Sequence, residues 1–305
     1  MTVRIATRKS PLALWQAHHV ADAIRALDPT LEVTLLERVT KGDKILDQAL
    51  SKVGGKDLFV KEIEDALLTG EAEIAVHSLK DVPTELPSGL EIAAFPPRED
   101  PRDALVSPQG YTLATLPRGA TVGTSSLRRA AQLSAQRPDL VIVPIRGNVQ
   151  TQLLRCKEQG MAATMLAYAG LLRLNLEHVA TEILDLEASL PAIGQGILAV
   201  EICSDDMPTR SLVAKLDSPA SRAAALCERA FLRRLQGGCQ VPIAGHARVE
   251  AGGVLHLVGL VAETDGSVVI RGERRGADPI ALGTALGDEL LDRGAGAILA
   301  KLKAS

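Results

Sequence analysis

Cationic side chains recur in this sequence at the ends of apolar runs and the starts of amphipathic ones. Thr124-Ser125-Ser126-Leu127-Arg128-Arg129 follows the apolar Thr121–Gly123 and opens a helical pattern. Hydroxyls, two guanidinium groups and the free N–H groups of a helix start can therefore converge there on one anion. Arg146-Gly147-Asn148 repeats the arrangement directly after Leu140–Ile145, and Arg8 closes the first apolar run. One such arginine alone reads as a solvated surface charge. The set together points to a polyanionic ligand, most simply one with several carboxylates.

Two further segments carry chemistry. His77-Ser78-Leu79-Lys80-Asp81-Val82-Pro83 ends another apolar run with a hydroxyl, a cation and a carboxylate in close succession. Asp81 is there either a helix or turn cap or a carboxylate facing positive charge that develops in a substrate. Leu235-Gln236-Gly237-Gly238-Cys239-Gln240-Val241-Pro242 sets a cysteine on a glycine turn with room for a bulky group near its sulfur, whereas Cys156, Cys203 and Cys227 fall within helical or strand patterns and read as core thiols. Gly194-Gln195-Gly196-Ile197-Leu198-Ala199 fits the dinucleotide pattern G-x-G-x-x-A, but it leads into a strand-like run rather than a helix. Gly54-Gly55-Lys56-Asp57 lacks the spacing and the Ser or Thr of a P-loop, and the 6 histidines show no ligand spacing, so no metal site is expected.

The elements that must position these residues alternate from the start. Val3–Thr7 and Leu31–Val39 read as strands around a helix at Pro11–Leu27, and a helix at Leu58–Leu68 precedes the strand Glu73–His77. This βαβα order predicts a largely parallel sheet with helices on both faces. Phe95-Pro96-Pro97-Arg98-Glu99-Asp100-Pro101 reads as a crossing into a second αβ series: Ala104–Ser107, Thr121–Gly123, a helix from Ser125 to Gln136, Leu140–Ile145, a helix at Asn148–Glu158, and Ala162–Ala167. Leu190–Gly196 reads as a second crossing, with Ile197–Ile202 returning to the first sheet. Two α/β lobes so joined are expected to enclose a cleft. A tail follows, with a helix at Ser221–Leu235, strands at Gly245–Glu250, Val254–Glu263 and Ser267–Arg274, and a helix at Pro279–Leu291. The expected domains are residues 1–96 with 197–215, residues 97–196, and a small α+β domain over residues 216–305.

Composition narrows the function. The 305 residues carry 34 basic against 37 acidic side chains, and 46% are apolar, as in a globular protein able to bury more than one core. With 3 Phe, 2 Tyr and 1 Trp, the chain lacks the aromatic platforms on which single-stranded nucleic acid stacks, so no nucleic-acid partner is expected. No apolar run reaches the roughly 18 residues of a membrane span, and Met1–Arg8 shows no apolar signal-peptide core. A cytoplasmic or organelle-interior protein with reduced thiols and no membrane partner is the expectation.

The ordered motifs resemble one family nearly end to end, the porphobilinogen deaminases, also called hydroxymethylbilane synthases. They are Arg4-Ile5-Ala6-Thr7-Arg8-Lys9-Ser10-Pro11-Leu12-Ala13, Val53-Gly54-Gly55-Lys56, His77–Pro83, Gly123–Arg129, Arg146-Gly147-Asn148, Gly194-Gln195-Gly196 and Gly237–Pro242. The resemblance implies two lobes like periplasmic binding proteins plus a cysteine-bearing third domain. It also implies a transferase, active as a cytoplasmic monomer, that removes ammonia from porphobilinogen and joins four units head to tail before water releases linear hydroxymethylbilane. The growing oligopyrrole would be built on a dipyrromethane primer held by a thioether to Cys239. By the same resemblance Asp81 is the catalytic acid, its carboxylate facing the pyrrole N–H groups. Lys56, Lys80, Ser78, Asp81, Thr124, Ser126, Arg128 and Arg129 match cofactor-binding positions. Arg8, Arg146, Arg173, Gln195 and Gln152 match substrate-binding ones, and Lys52 belongs with the residues that hold carboxylates.

One position departs from the family pattern, since Gln152 stands where an arginine is expected after Thr151. If Asn148–Glu158 is a helix, Arg155 shares a face with Gln152 and can lean back about one turn to supply the missing contact. A two-lobed receptor for a small polycarboxylate is the competing function, and Cys239 separates the two because a receptor needs no thiol on a glycine turn.

Overall fold

The computed structural model describes residues 2–40, 57–237 and 241–304. Its strands are β1 (Thr2–Arg8), β2 (Glu32–Arg38), β3 (Ile74–Ser78), β4 (Leu90–Ala94), β5 (Asp103–Val106), β6 (Thr121–Gly123), β7 (Val141–Val143), β8 (Ala163–Ala167), β9 (Glu182–Ile183), β10 (Leu198–Cys203), β11 (Ile243–Val249), β12 (Leu255–Ala262) and β13 (Val269–Gly276). The α-helices are α1 (Pro11–Leu27), α2 (Asp57–Leu68), α3 (Leu127–Gln136), α4 (Val149–Glu158), α5 (Tyr168–Arg173), α6 (Met207–Val213), α7 (Pro219–Arg234), α8 (Pro279–Leu290) and α9 (Gly296–Ala304). Residues 1–99 with 196–225 form one compact unit, and residues 100–195 with 226–305 form the other.

The first unit is built on a sheet of order β2-β1-β3-β10-β4. Alternation along β1 sends Val3 and Ile5 to one face and Ala6 to the other. Val3 and Ile5 meet Ala17, Val20, Ala21 and Ile24 of α1, while Ala6 meets Ile63, Ala66 and Leu67 of α2. Helix α1 starts where its sequence says it should: the Ser10 hydroxyl accepts from the Ala13 N–H at 3.3 Å, and Pro11 takes the first helical position, where no N–H is needed.

The second unit contains a sheet of order β7-β6-β8-β5-β9 and an antiparallel sheet β11-β12-β13. In the first of these, Leu105, Val122, Leu133 and Met165 fill one face, and Ala104, Val106, Leu166 and Leu171 the other. Ala131 of α3 shares a buried cluster with Ala244, Leu260 and Ala262, so the small C-terminal α+β sheet packs onto the α/β part of its own unit.

Both five-stranded sheets are largely parallel, each with a single strand reversed among four that run the same way. β1, β2 and β3 run parallel, but β10 lies antiparallel to β3 with Leu198 opposite Ser78. β6, β7 and β8 run parallel, but β5 lies antiparallel to β8 with Asp103 opposite Ala167. The physical reason is where each crossing arrives: β5 and β10 enter their sheets at the carboxyl edge of the parallel strands, and from there an antiparallel course follows.

Candidate active site

In the first unit the parallel strands β1 and β3 end at one edge, with Arg8 and Ser78 as their last residues. Beyond Ser78 the chain makes a single 3-10 turn, Leu79–Asp81. Leu79 is buried and its N–H donates to the Ile197 carbonyl at 2.9 Å, so this one apolar residue pins the turn and leaves Asp81 exposed. Asp81 caps nothing: among the described residues no hydrogen bond reaches its carboxylate, and it lines a concavity with Thr7, Arg8, Ser10, Gln16, His77 and Ser78. Lys80 lies half-buried in the same turn.

Two residues at this edge carry no motif. Gln16, buried on α1, donates to the Ser78 hydroxyl at 2.7 Å. A buried amide inside an apolar helix stripe is the one signal that marks it. Glu201 of β10 is 1% exposed and meets His77 Nε2 at 2.8 Å, a diagonal contact across the β3/β10 pair, where Glu201 stands opposite Ala75. Only the pairing of strands distant in sequence makes that contact.

In the second unit three connections leave the carboxyl edge of β6, β7 and β8. After β6, Thr124 N–H donates to the Val143 carbonyl at 2.9 Å, and the Ser125 hydroxyl donates to the Ile145 carbonyl at 2.7 Å. Ser126 caps α3, its Oγ accepting from the Arg129 N–H at 3.4 Å. Arg128 and Arg129 do converge on an anion, and that anion belongs to the protein. Asp103, fully buried, accepts from Arg128 Nη1 at 2.7 Å through Oδ2 and from Arg129 Nη2 at 2.7 Å through Oδ1. Gln195, 1% exposed, donates to the same Oδ1 at 2.9 Å and to the Pro101 carbonyl at 2.7 Å. Burial pushes the Asp103 carboxyl up, but the fields of Arg128 and then Arg129 outweigh it and hold the group well below the usual carboxylate range. Burial also lowers the Arg128 pKa, against the opposing pull of Asp103.

After β7, Arg146 is half-buried and Gly147 takes φ +110°. The Asn148 side chain then caps α4, accepting from the Thr151 N–H and hydroxyl, each at 2.9 Å. Gln152 Nε2 donates to the Gly147 carbonyl at 2.8 Å and Arg155 Nη1 to the Arg146 carbonyl at 3.1 Å. Arg155 thus leans toward the start of its helix, and the pair on that face fastens the loop carrying Arg146. After β8, Arg173 ends α5 and is buried. Lys52, Lys56 and Cys239, with the Gly54-Gly55-Lys56 segment, lie outside the described residues.

Cations, hydroxyls and a carboxylate without a partner among the described residues thus stand at the carboxyl edges of the sheets, where open α/β proteins as a class bind their ligands. Residues 3–211 match the model of the porphobilinogen deaminase dipyromethane cofactor binding domain, and residues 223–292 match that of the porphobilinogen deaminase C-terminal domain. The chain is 54% identical over 302 residues to a porphobilinogen deaminase of Syntrophotalea carbinolica, covering 98% of this chain and 96% of that protein. To the porphobilinogen deaminase of Moorella thermoacetica it is 51% identical, over 99% of this chain and 97% of that protein. Among solved structures it is similar to the Bordetella pertussis BvgS periplasmic VFT2 domain, at TM-score 0.44 and 16% identity, over 70% of this chain and 86% of that one. The chain belongs to the porphobilinogen deaminase family.

Proposed function

We propose that this chain is a transferase that deaminates porphobilinogen and joins four units head to tail on a dipyrromethane bound through Cys239, releasing hydroxymethylbilane. The observation that carries the reading is Asp81, a carboxylate without a hydrogen-bond partner among the described residues, lining one concavity with Arg8 and Ser78. The donor set fits the cofactor: a dipyrromethane presents carboxylates, which need cations and hydroxyls, and ring N–H groups, which need an acceptor. Ser78, Lys80, Thr124, Ser126, Arg128, Arg129 and Lys56 are the residues proposed to hold its carboxylates, with Cys239 as its covalent anchor. When bound, the dipyrromethane supplies the free pyrrole α-carbon on which the chain is extended.

The protein's own part is binding, orientation and charge. Arg8, Arg146 and Arg173 take carboxylates of the incoming porphobilinogen, with Gln195 and Gln152 as hydrogen-bonding partners. Asp81 accepts pyrrole N–H bonds and offsets the positive charge that develops as ammonia leaves, a role in which an ionised carboxylate is preorganised. A monomeric, cytoplasmic enzyme is part of the same reading. No described helix is long and apolar enough to cross a membrane.

Intact mass of the protein, purified from a porphyrin-making host, tests the proposal. The expected excess equals two porphobilinogen units less two ammonias, and Cys239→Ser abolishes it together with turnover, because a hydroxyl is a far poorer nucleophile than a thiolate. An unmodified parent mass refutes the reading and favours a polycarboxylate receptor. A Cys239→Ser variant that keeps the full excess moves the anchor to another residue.

A further inference from the structure

Four side chains from distant parts of the second unit end on one carboxylate. Asp103, the first residue of β5, receives Arg128, Arg129, Gln195 and Ser189, the last donating its hydroxyl to Oδ2 at 2.8 Å. Arg128 also donates to the Leu190 carbonyl at 2.7 Å, and Arg129 to the Met165 carbonyl at 3.0 Å. Three of these donors, Arg128, Arg129 and Gln195, are residues for which ligand binding is proposed, although 67 positions separate Arg128 from Gln195.

The charges do not cancel. Among the described residues a single buried carboxylate faces two guanidinium groups, so the cluster carries a surplus positive charge, and Asp103 offsets the repulsion between the two cations. The two arginines are also unequal. Arg128 is 5% exposed and commits both N–H bonds of Nη1 to protein acceptors. Arg129, its side chain 11% exposed against 6% for Arg128, commits one N–H of each terminal nitrogen, and the second of each meets no further acceptor among the described residues.

We propose that Asp103 is a positioning residue for the reaction: it gathers Arg128, Arg129, Gln195 and Ser189 into one preformed cation cluster whose surplus charge, delivered through Arg129, meets a carboxylate of the bound pyrroles. Asp103 does not touch the ligand. It acts by fixing where the guanidinium groups point before any ligand arrives, so that binding does not have to order them. This inference rests on the proposed function, and the parent protein serves as the check on that reading.

The test compares the parent with Asp103→Asn, Asp103→Glu and Ser189→Ala by intact mass, thermal melting and steady-state kinetics with porphobilinogen. Asn removes the charge and turns an N–H donor toward donors. The expected Asn variant melts cooperatively, carries less of the cofactor mass, and shows a KM raised about tenfold or more, the scale of losing a hydrogen bond to a charged group. Glu restores part of the mass excess and of the KM because it restores the charge. Ser189→Ala removes one donor to Oδ2 from a buried site of almost unchanged shape, and is expected to raise KM about twofold to tenfold with kcat unchanged.

A folded Asn variant with parental mass excess and KM overturns the inference, as does Glu failing to improve on Asn. Should the Asn variant not fold, Ser189→Ala decides: a raised KM at constant kcat supports positioning, and parental constants overturn it. A parent without mass excess or turnover refutes the proposed function instead, so the two failures are distinguishable.

Discussion

Gly147→Ala isolates the loop that presents Arg146. Gly147 sits at φ +110°, and a Cβ built there lies 2.4 Å from Thr151 Cγ2 and 2.6 Å from Thr151 Cβ. The backbone strain of an L residue in that region is about 1–3 kcal/mol. The clash has no cheap outlet, because Thr151 is held in the first turn of α4 by two bonds to Asn148, and moving it breaks a helix cap worth about 0.5–2 kcal/mol. Together these give a loss of about 1.5–5 kcal/mol. The functional cost follows from the same contacts: Gln152 and Arg155 grip the carbonyls of Gly147 and Arg146, so a displaced loop carries Arg146 with it. Urea unfolding should show a lower midpoint at unchanged slope, and KM for porphobilinogen should rise. Thr151→Ala added to Gly147→Ala should recover little, since the Thr151 Cβ that remains is itself too close. A stability loss below about 0.5 kcal/mol with parental KM, or full recovery in the double variant, would refute the reasoning.

Asp81→Asn should fold and keep its cofactor mass while kcat falls about 10²–10³-fold or more, because the substitution keeps the shape and removes the charge; near-parental turnover in rapid-mixing assays would show that the charge is not used. The Asp103 carboxyl lies lower folded than unfolded, so its stabilisation is complete above the unfolded value of about 3.9 and is lost as pH falls below it. The stability gap between the parent and folded Asp103→Asn should thus narrow by about 1.4 kcal/mol per pH unit below that point, and a gap that stays flat from pH 6 to about pH 3 contradicts this sign. Burial pushes the Cys156 thiol up to about 11 and the Cys227 thiol up to about 12. Neither should be alkylated by iodoacetamide in the native protein near neutral pH, and both should be in urea; peptide mapping that finds rapid native labelling at either site disproves it.

Local signals were legible wherever a residue and its partner are neighbours in the chain. Ser10 and Pro11 announce α1, Ser126 announces α3, and Asn148 announces α4, each through a bond that spans three residues. β4 was not legible: Leu90–Ala94 is short, follows Gly89 and precedes two prolines, and becomes a strand only because β10 pairs with it. β7 is shorter than the apolar run Leu140–Ile145 suggests, ending at Val143 before Pro144, which has no N–H for a ladder. The chain also continues past α8 into α9, through a turn in which Gly294 takes φ +105°.

The sequence by itself determined the class of elements and the family, because capping, periodicity and ordered motifs are properties of short stretches. Only the tertiary structure decided what particular residues meet. Arg128 and Arg129 could be seen to open a helix, but their anion is Asp103, which reaches them through the pairing of β5 with β8 and of β8 with β6. The turn that carries Asp81 is held by the burial of Leu79 and its bond to Ile197, a residue that returns from the second crossing. His77 and Glu201 likewise meet across strands 124 residues apart. Such contacts depend on strand order and on where each crossing enters its sheet, and no window of sequence contains both partners.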